Sequence, residues 1–211
     1  MGKVLVVNPN SSSVVTQGIA TALAPLGDCF EVTDLPDSPA TIASDEDVAR
    51  AGLGFFELVR GRADVAAFVT ACFSDPGLEL ARAALSRPVI GVQEAGILTA
   101  LARADRFGII ALSPESIPRH LRKMRMMGVE GRLAGELALD GVSATASGTD
   151  PQVYEQVRRL AVQLGDMGAG AIVLGCAGMA PIRARLEAET GLAVIDPVVA
   201  AGAMALGIVK G

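Results

Sequence analysis

The sequence predicts an α/β protein built from two similar halves, each a parallel sheet covered by helices, that face each other across a cleft. Short apolar runs alternate with helix-like stretches along the 211 residues, as is typical of parallel strands buried on both faces. The chain also repeats itself, because landmarks of the first half recur in the second half at an offset of 104 or 105 residues.

Seven short apolar runs, rich in Val, Ile and Ala, predict the strands. They lie at residues 4–7, 30–33, 65–70, 89–92, 107–112, 171–174 and 193–195. Eight intervening or following stretches predict helices, at residues 12–23, 45–60, 77–85, 95–104, 115–127, 151–167, 179–189 and 198–209. The least regular segment precedes Pro151, and it is expected to hold a strand near Val129 and then a loop.

The internal repeat joins a proline turn, a cysteine and an apolar strand of each half. The matched positions are Pro9 and Pro114, Cys72 and Cys176, and Ile90 and Ile195. Chance does not easily place two of only three cysteines in matching positions. Since open α/β sheets bind ligands outside the carboxyl ends of their strands, we expect the two thiols to approach one small molecule from opposite sides.

Composition excludes several classes of partner. A net charge of −5 argues against a nucleic-acid surface or a polybasic membrane patch. No apolar stretch approaches the length of a membrane-spanning helix, and the N-terminus is expected to be a first strand and not a signal peptide. Three cysteines without a CxxC pair suit a reducing cytoplasm better than a disulfide framework.

Cys72 and Cys176 each follow an apolar strand and precede a helix, where N–H groups and the helix dipole favour a thiolate. Such surroundings are expected to lower a cysteine pKa toward neutrality. Two facing cysteines permit a two-base proton exchange, in which one removes a proton from carbon and the other returns one to the opposite face. Cys29 has no counterpart in the second half and is expected to be structural.

The turn "NPNSS" at residues 8–12 can cap the next helix or hold a substrate oxygen. Ser113 and Ser116 occupy the matching turn of the second half, with the same two interpretations. Glu94 and Asp196 close equivalent strands, where helix capping is favoured over substrate binding.

The residue types and motifs that the sequence lacks predict an enzyme that works without metal or cofactor. The single histidine, His120, lies in a basic helical stretch where a solvated face is expected, and one histidine excludes a His-rich metal site. No lysine is placed like a Schiff-base residue after a strand, and neither a dinucleotide fingerprint nor a Walker-type phosphate loop is present.

Five motifs together resemble the hydantoin racemase branch of the aspartate/glutamate racemase superfamily. They are "VNPNSS" from Val7, "CFSDPGL" from Cys72, "GVQEAG" from Gly91, "LGCAGM" from Leu174 and "VIDPV" from Val194. The resemblance implies two pseudo-twofold-related lobes, cofactor-independent racemisation and a homo-oligomer. The implied lobes are residues 1–96 plus 197–211 and residues 97–196.

When the roles known in the family are assigned to the matching motif positions, the resemblance implies that Cys72 and Cys176 are the acid/base pair. The implied substrate-binding residues are Asn8, Ser11, Ser12, Ser74, Asp75, Ser113, Ala177 and Gly178. The preferred substrate is a 5-substituted hydantoin or allantoin, whose stereocentre is acidified by a ring carbonyl. One departure is that Ala71 and Ser74 lie around the first cysteine, where the family commonly has glycines.

Other functions fit the same cleft. Within enzymes, the alternatives are an amino-acid racemase, a decarboxylase and a cis–trans isomerase. A two-lobed binding module would retain ligand affinity without either cysteine, and a redox pair would form a disulfide.

Overall fold

The computed structural model describes residues 2–210, which form two four-stranded, wholly parallel sheets. The first sheet contains β1 (Lys3–Asn8), β2 (Phe30–Asp34), β3 (Val65–Thr70) and β4 (Val89–Gly91). The second contains β5 (Phe107–Ala111), β6 (Leu133–Ala138), β7 (Ala171–Gly175) and β8 (Ala193–Ile195). Strand order is β2-β1-β3-β4 in one sheet and β6-β5-β7-β8 in the other, so the two halves share one topology, as predicted.

Nine α-helices lie within the same described residues. They are α1 (Ser13–Leu23), α2 (Asp45–Arg60), α3 (Leu78–Ala84), α4 (Val92–Arg103), α5 (Ile117–Met127), α6 (Ala146–Thr149), α7 (Pro151–Asp166), α8 (Arg183–Thr190) and α9 (Pro197–Lys210). In this part of the chain none of the helices has the length and apolar character that crossing a membrane requires.

The central strands are buried because nearly all of their side chains are apolar. From Val4 onward β1 is buried, β5 and β7 are buried throughout, and the edge strands β2 and β6 are half-buried. One cluster of buried side chains runs from the first sheet to the second, and a smaller cluster lies between the first sheet and helices α2 and α3. The two halves therefore share a core.

Helices α4 and α9 join the halves. Helix α4 follows the last strand of the first sheet, but among the strands it packs mainly against β7 and β8, while α9 follows the last strand of the second sheet and packs against β3, β4 and α1. The two helices also contact each other, and a Cβ at Gly96 of α4 would lie 2.9 Å from the side chain of Pro197. The helix that follows the last strand of each sheet thus packs on the opposite half.

The structure differs from the sequence prediction mainly before Pro151. The strand expected near Val129 begins at Leu133, after a 3-10 turn at Glu130–Arg132, and the expected loop contains the short helix α6. The predicted lobe boundaries stay a prediction, and their first and last residues, 1 and 211, lie outside the described part of the chain.

Candidate active site

A cavity of about 830 Å³ lies between the two halves. Its walls come from segments that follow the first three strands of each sheet, together with the start of α5, and the carboxyl ends of strands are where parallel α/β sheets place their ligands. Both Cys72 and Cys176 line it, together with Ala71, Phe73 and Ser74 from the first half and Gly175 and Ala177 from the second. The repeat therefore brings its two matched cysteines to one cavity.

Cys72 lies two residues after β3, in a tight loop before α3. The loop is closed by the N–H of Asp75 donating to the carbonyl of Cys72 at 2.9 Å, and by the Thr70 hydroxyl donating to the carbonyl of Pro76 at 3.0 Å. Asp75 has a φ of 44° and Gly77 a φ of 75°, so the chain turns sharply here. At Gly77 any side chain would meet the carbonyl oxygen of Gly52. This turn keeps the Cys72 side chain at the cavity.

Cys176 immediately follows β7 and begins a 3-10 helix at Ala177–Ile182. Its Sγ accepts the N–H of Gly178 at 3.4 Å. The side chain of Ser147 also lies beside this sulfur. Its hydroxyl donates to the carbonyl of Ala144 at 2.8 Å. The second cysteine therefore has polar neighbours that can stabilise negative charge on sulfur.

The prediction that these surroundings lower the thiol pKa values is wrong. Burial raises the pKa of Cys72 to about 12, and the nearby Cys176 adds to the rise, while the N–H of Ser74 and the charge of Arg119 oppose it. Burial also raises the pKa of Cys176, against the N–H of Gly178. Desolvation thus outweighs the local donors. The effect of Cys176 on the pKa of Cys72 is consistent with both thiols lining one cavity.

The predicted substrate anchor at residues 8–12 has mostly structural contacts. The Asn8 side chain is fully buried and donates to Asn10 Oδ1 at 2.9 Å and to Thr16 Oγ1 at 3.0 Å. Ser12 caps α1, and its hydroxyl lies 3.1 Å from that of Thr145. The N–H of Ser11 donates to the carbonyl of Pro39. The residue of this turn that lines the cavity is Asn10.

Two of the predicted site residues, Ser74 and Asp75, lie in the loop that follows Cys72, and they make different contacts. Ser74 lines the cavity. The buried carboxylate of Asp75 instead faces α4, where it accepts the N–H groups of Gln93 at 2.8 Å and Glu94 at 3.1 Å. Burial raises the pKa of Asp75 to about 7, although these two N–H groups lower it.

In the second half, two predicted site residues, Ser113 and Ala177, line the cavity. Ser116 lines it as well. Gly178 is outside the lining and directs its N–H to Cys176. The favoured capping role is found for Asp196, whose carboxylate accepts the N–H of Val198 at 2.8 Å at the start of α9. Glu94 does not cap; it lies inside α4 and pairs with Arg82 and Lys123, each at 2.8 Å.

The prediction of a solvated His120 is also wrong. Its side chain is 2% exposed, lines the cavity and places Nδ1 2.5 Å from Glu136 Oε1. Its neighbour Arg119, another cavity residue, donates from Nε to the Ser74 hydroxyl at 2.9 Å. Helical spacing could have found His120, because it lies one turn before Met124, the other fully buried residue of α5. The charges around it concealed that pattern.

Residues 2–210 contain no group of three or more His, Cys, Asp or Glu side chains arranged to hold a metal ion. All three cysteines are free thiols, including Cys29, which is buried outside the cavity lining. The reactive groups of the cavity are therefore its two thiols and the polar side chains beside them.

Residues 4–205 match the sequence model of the Asp/Glu/Hydantoin racemase family. The chain belongs to this family. The racemase is 36% identical over 211 residues to a hydantoin racemase from Paenarthrobacter aurescens, a match that covers 94% of this chain and 87% of the relative. It is also 36% identical to a hydantoin racemase from Rhizobium meliloti, over 94% of this chain and 85% of that one.

Solved structures agree with this assignment. An allantoin racemase from Klebsiella pneumoniae superposes with a TM-score of 0.93 at 30% identity, covering 100% of the racemase and 88% of that chain. A glutamate racemase from Bacillus anthracis shares the fold, with a TM-score of 0.73 at 19% identity over 99% of this chain and 82% of that one. The protein is an isomerase of the racemase type, and the two-lobed α/β fold predicted from its sequence is confirmed.

Proposed function

We propose that this racemase inverts the stereocentre of a 5-substituted hydantoin or of allantoin, using Cys72 and Cys176 as the acid/base pair and no cofactor. The observation that carries the proposal is the meeting of the two repeat-related cysteines at one cavity between the halves. The names of the relatives at 30–36% identity support a cyclic ureide substrate.

The reaction needs one thiolate and one thiol. The thiolate takes the proton from C5 of the ring, and the electron pair left on carbon is delocalised into the adjacent ring carbonyl. The opposite thiol then gives its proton to the other face of C5. Proton and charge balance, since one cysteine gains the proton that the substrate loses and the other becomes the thiolate. General acid and base groups of this kind each contribute about 10²–10⁴-fold in rate.

The surroundings of the sulfurs support charge movement between them. The N–H of Gly178 faces Cys176, while the N–H of Ser74 and the guanidinium of Arg119 act on Cys72. These donors stabilise whichever sulfur carries the charge, and they are in place before the reaction begins. The apolar wall formed by Val15, Ile42 and Phe73 suits an uncharged ring substituent.

The test follows enantiopure 5-substituted hydantoins and allantoin by optical rotation and by mass spectrometry in D2O. We expect racemisation with deuterium at the stereocentre, and a loss of about 10²–10⁴-fold in Cys72→Ser and in Cys176→Ser. Each single variant keeps one base, so each is expected to exchange the proton of only one enantiomer, and the two variants are expected to exchange opposite ones.

Cys29→Ser is the matched control, because it removes the one cysteine that lies away from the cavity. It is expected to racemise at the wild-type rate. Wild-type racemisation rates in Cys72→Ser or Cys176→Ser would contradict the two-base assignment.

A further inference from the structure

Four side chains form a hydrogen-bonded line that ends at the cavity beside Cys72. Glu136 Oε1 lies 2.5 Å from His120 Nδ1, and His120 Nε2 lies 3.4 Å from the Ser74 hydroxyl oxygen. The same oxygen accepts the N–H of Arg119 Nε at 2.9 Å. The line crosses between the halves, because Ser74 follows β3 whereas His120 is on α5 and Glu136 on β6.

The chemistry of Glu136 decides where the proton on His120 lies. The Glu136 and His120 side chains are each 2% exposed, and Glu136 Oε2 has no hydrogen-bond partner among the described residues. A carboxylate oxygen accepts hydrogen bonds, so the imidazole tautomer that fits this contact has its hydrogen on Nδ1. His120 Nε2 is then a lone pair that accepts the Ser74 proton.

This arrangement fixes the polarity of Ser74. A serine hydroxyl has one hydrogen to donate and two lone pairs that accept. The hydrogen is directed to His120 and one lone pair receives the Arg119 N–H. The remaining lone pair is available at the cavity, which Ser74 lines. Toward a ligand, Ser74 therefore accepts and does not donate.

The repeat supplies no such group on the other side. The position that corresponds to Ser74, two residues after the second cysteine, is Gly178, which has no side chain to offer. The two faces of the cavity thus differ at equivalent positions. A ligand with a donor next to its stereocentre is held in one orientation, with that donor toward the Cys72 loop.

We propose that Ser74 is a specificity-determining residue that accepts the substrate N–H next to the stereocentre, and that His120 and Glu136 are positioning residues that fix it as an acceptor. The inference rests on the proposed hydantoin-type substrate, whose ring nitrogen N1 carries this N–H. A carboxylate oxygen at the same place would bring two acceptors together. As an acceptor, Ser74 therefore favours a ring amide N–H over a carboxylate oxygen at this position.

The first experiment reads the imidazole of the uncomplexed wild-type protein by ¹⁵N NMR at pH 8. His120 is the only histidine, so an untagged sample gives a single pair of imidazole nitrogens. We expect the neutral tautomer with the proton on Nδ1. In Glu136→Gln the charge that selects this tautomer is gone, and the population is expected to move toward Nε2–H. The matched control is Glu130→Gln, because Glu130 forms an exposed ion pair with Arg125. This variant is expected to leave the imidazole signals unchanged. A wild-type imidazole that is doubly protonated, or protonated on Nε2 alone, would overturn the proposal.

The second experiment compares binding of 5-benzylhydantoin and its N1-methyl analogue by calorimetry, with KM and kcat measured separately. Leaving the Ser74 acceptor unsatisfied is expected to weaken wild-type binding of the N1-methyl analogue by about tenfold to a hundredfold. In Ser74→Ala the affinities of the two ligands are expected to differ by no more than about threefold. In Glu136→Gln the difference in affinity is expected to be smaller than in the wild type. Ser74→Thr keeps the hydroxyl and is expected to retain the preference, which separates the hydrogen bond from the space that alanine opens.

The results distinguish this inference from the proposed function. A wild-type protein that neither binds nor racemises any hydantoin overturns both, whatever the NMR result. Racemisation with the same N1-methyl penalty in the wild type, Ser74→Ala and Glu136→Gln overturns the specificity role of Ser74 alone.

Discussion

The carboxylate of Asp75 accepts the main-chain N–H of Gln93 at 2.8 Å, and this contact ties the loop behind Cys72 to the first turn of α4. At the start of α9, Asp196 accepts the N–H of Val198 at 2.8 Å, a local contact between residues two positions apart. Helix α4 packs on the second sheet and α9 on the first. Asp75 therefore fastens the Cys72 loop to a helix that packs on the opposite half.

Gly91 should not tolerate a side chain, because its Cβ would lie 2.3 Å from the Asp75 carboxyl group. Gly91→Ala is expected to lower the free energy of unfolding by about 1–3 kcal/mol and to displace the Cys72 loop. Gly18→Ala is the matched control, since nothing lies within 4 Å of a Cβ in that helical position. It is expected to raise the free energy of unfolding by about 0.5–1 kcal/mol. Urea denaturation measures both; equal effects would contradict the close approach at Gly91.

Asp75 is expected to make stability depend on pH. Burial raises its pKa from 3.8 to about 7, so between these values the folded protein binds a proton that the unfolded chain has lost. The Asp75 contribution therefore favours folding at low pH and is lost as pH rises toward about 7, with a slope of up to about 1.4 kcal/mol per pH unit. Relative to Asp75→Asn, the wild type should lose free energy of unfolding over this range.

Asp47 supplies a control of opposite sign. Hydrogen bonds from Ser44 hold its pKa below 3.8, so its contribution is present above that pH and is lost as pH falls further. Comparison of the wild type with Asp47→Asn should show no loss of stability between pH 4 and 7. The same slope in both comparisons would show that Asp75 is not its source.

Both cavity thiols, Cys72 and Cys176, are expected to react slowly near neutral pH, because burial raises the pKa of each. Only the thiolate is nucleophilic, so the rate of alkylation of Cys72 by iodoacetamide should rise about tenfold per pH unit between about pH 7 and pH 10. Peptide mass spectrometry follows each cysteine separately. A rate for Cys72 that levels off near pH 7 would contradict this assignment.

Arg119 is expected to support the Cys72 thiolate, because its charge lowers the pKa of that thiol. In Arg119→Gln the alkylation of Cys72 at a fixed pH should slow by about threefold to tenfold, which corresponds to half to one pKa unit. Cys176 should be less affected. Arg122→Gln removes the other arginine that pairs with Asp45 and is the matched control. Equal slowing in both variants would assign the effect to Asp45 or to general charge.

Much of the fold follows from local sequence. Strand-like runs identified all of the strands except β6, whose Leu-Ala-Gly-Glu-Leu-Ala pattern contains a glycine and a glutamate and no β-branched or aromatic residue. The matched offsets of Cys72 and Cys176 predicted the two halves and the meeting of the cysteines, because parallel strands bring their carboxyl ends to one edge.

The remaining features depend on contacts between residues far apart in the chain. Sequence reasoning placed Asp75 in the site and His120 in solvent, yet the Asp75 carboxylate binds the start of α4 and His120 is buried against Glu136 and beside Ser74. It also predicted acidic thiols, whereas burial in the cavity raises both pKa values.

The sequence by itself determined the two-lobed α/β fold, the pair of cysteines and the family, because periodicity and repeats are local properties of the chain. Only the tertiary structure decided which polar side chains face the cavity and in which direction burial moves the pKa of its two thiols. Desolvation and hydrogen bonding depend on which distant groups surround a side chain, and no local pattern records that.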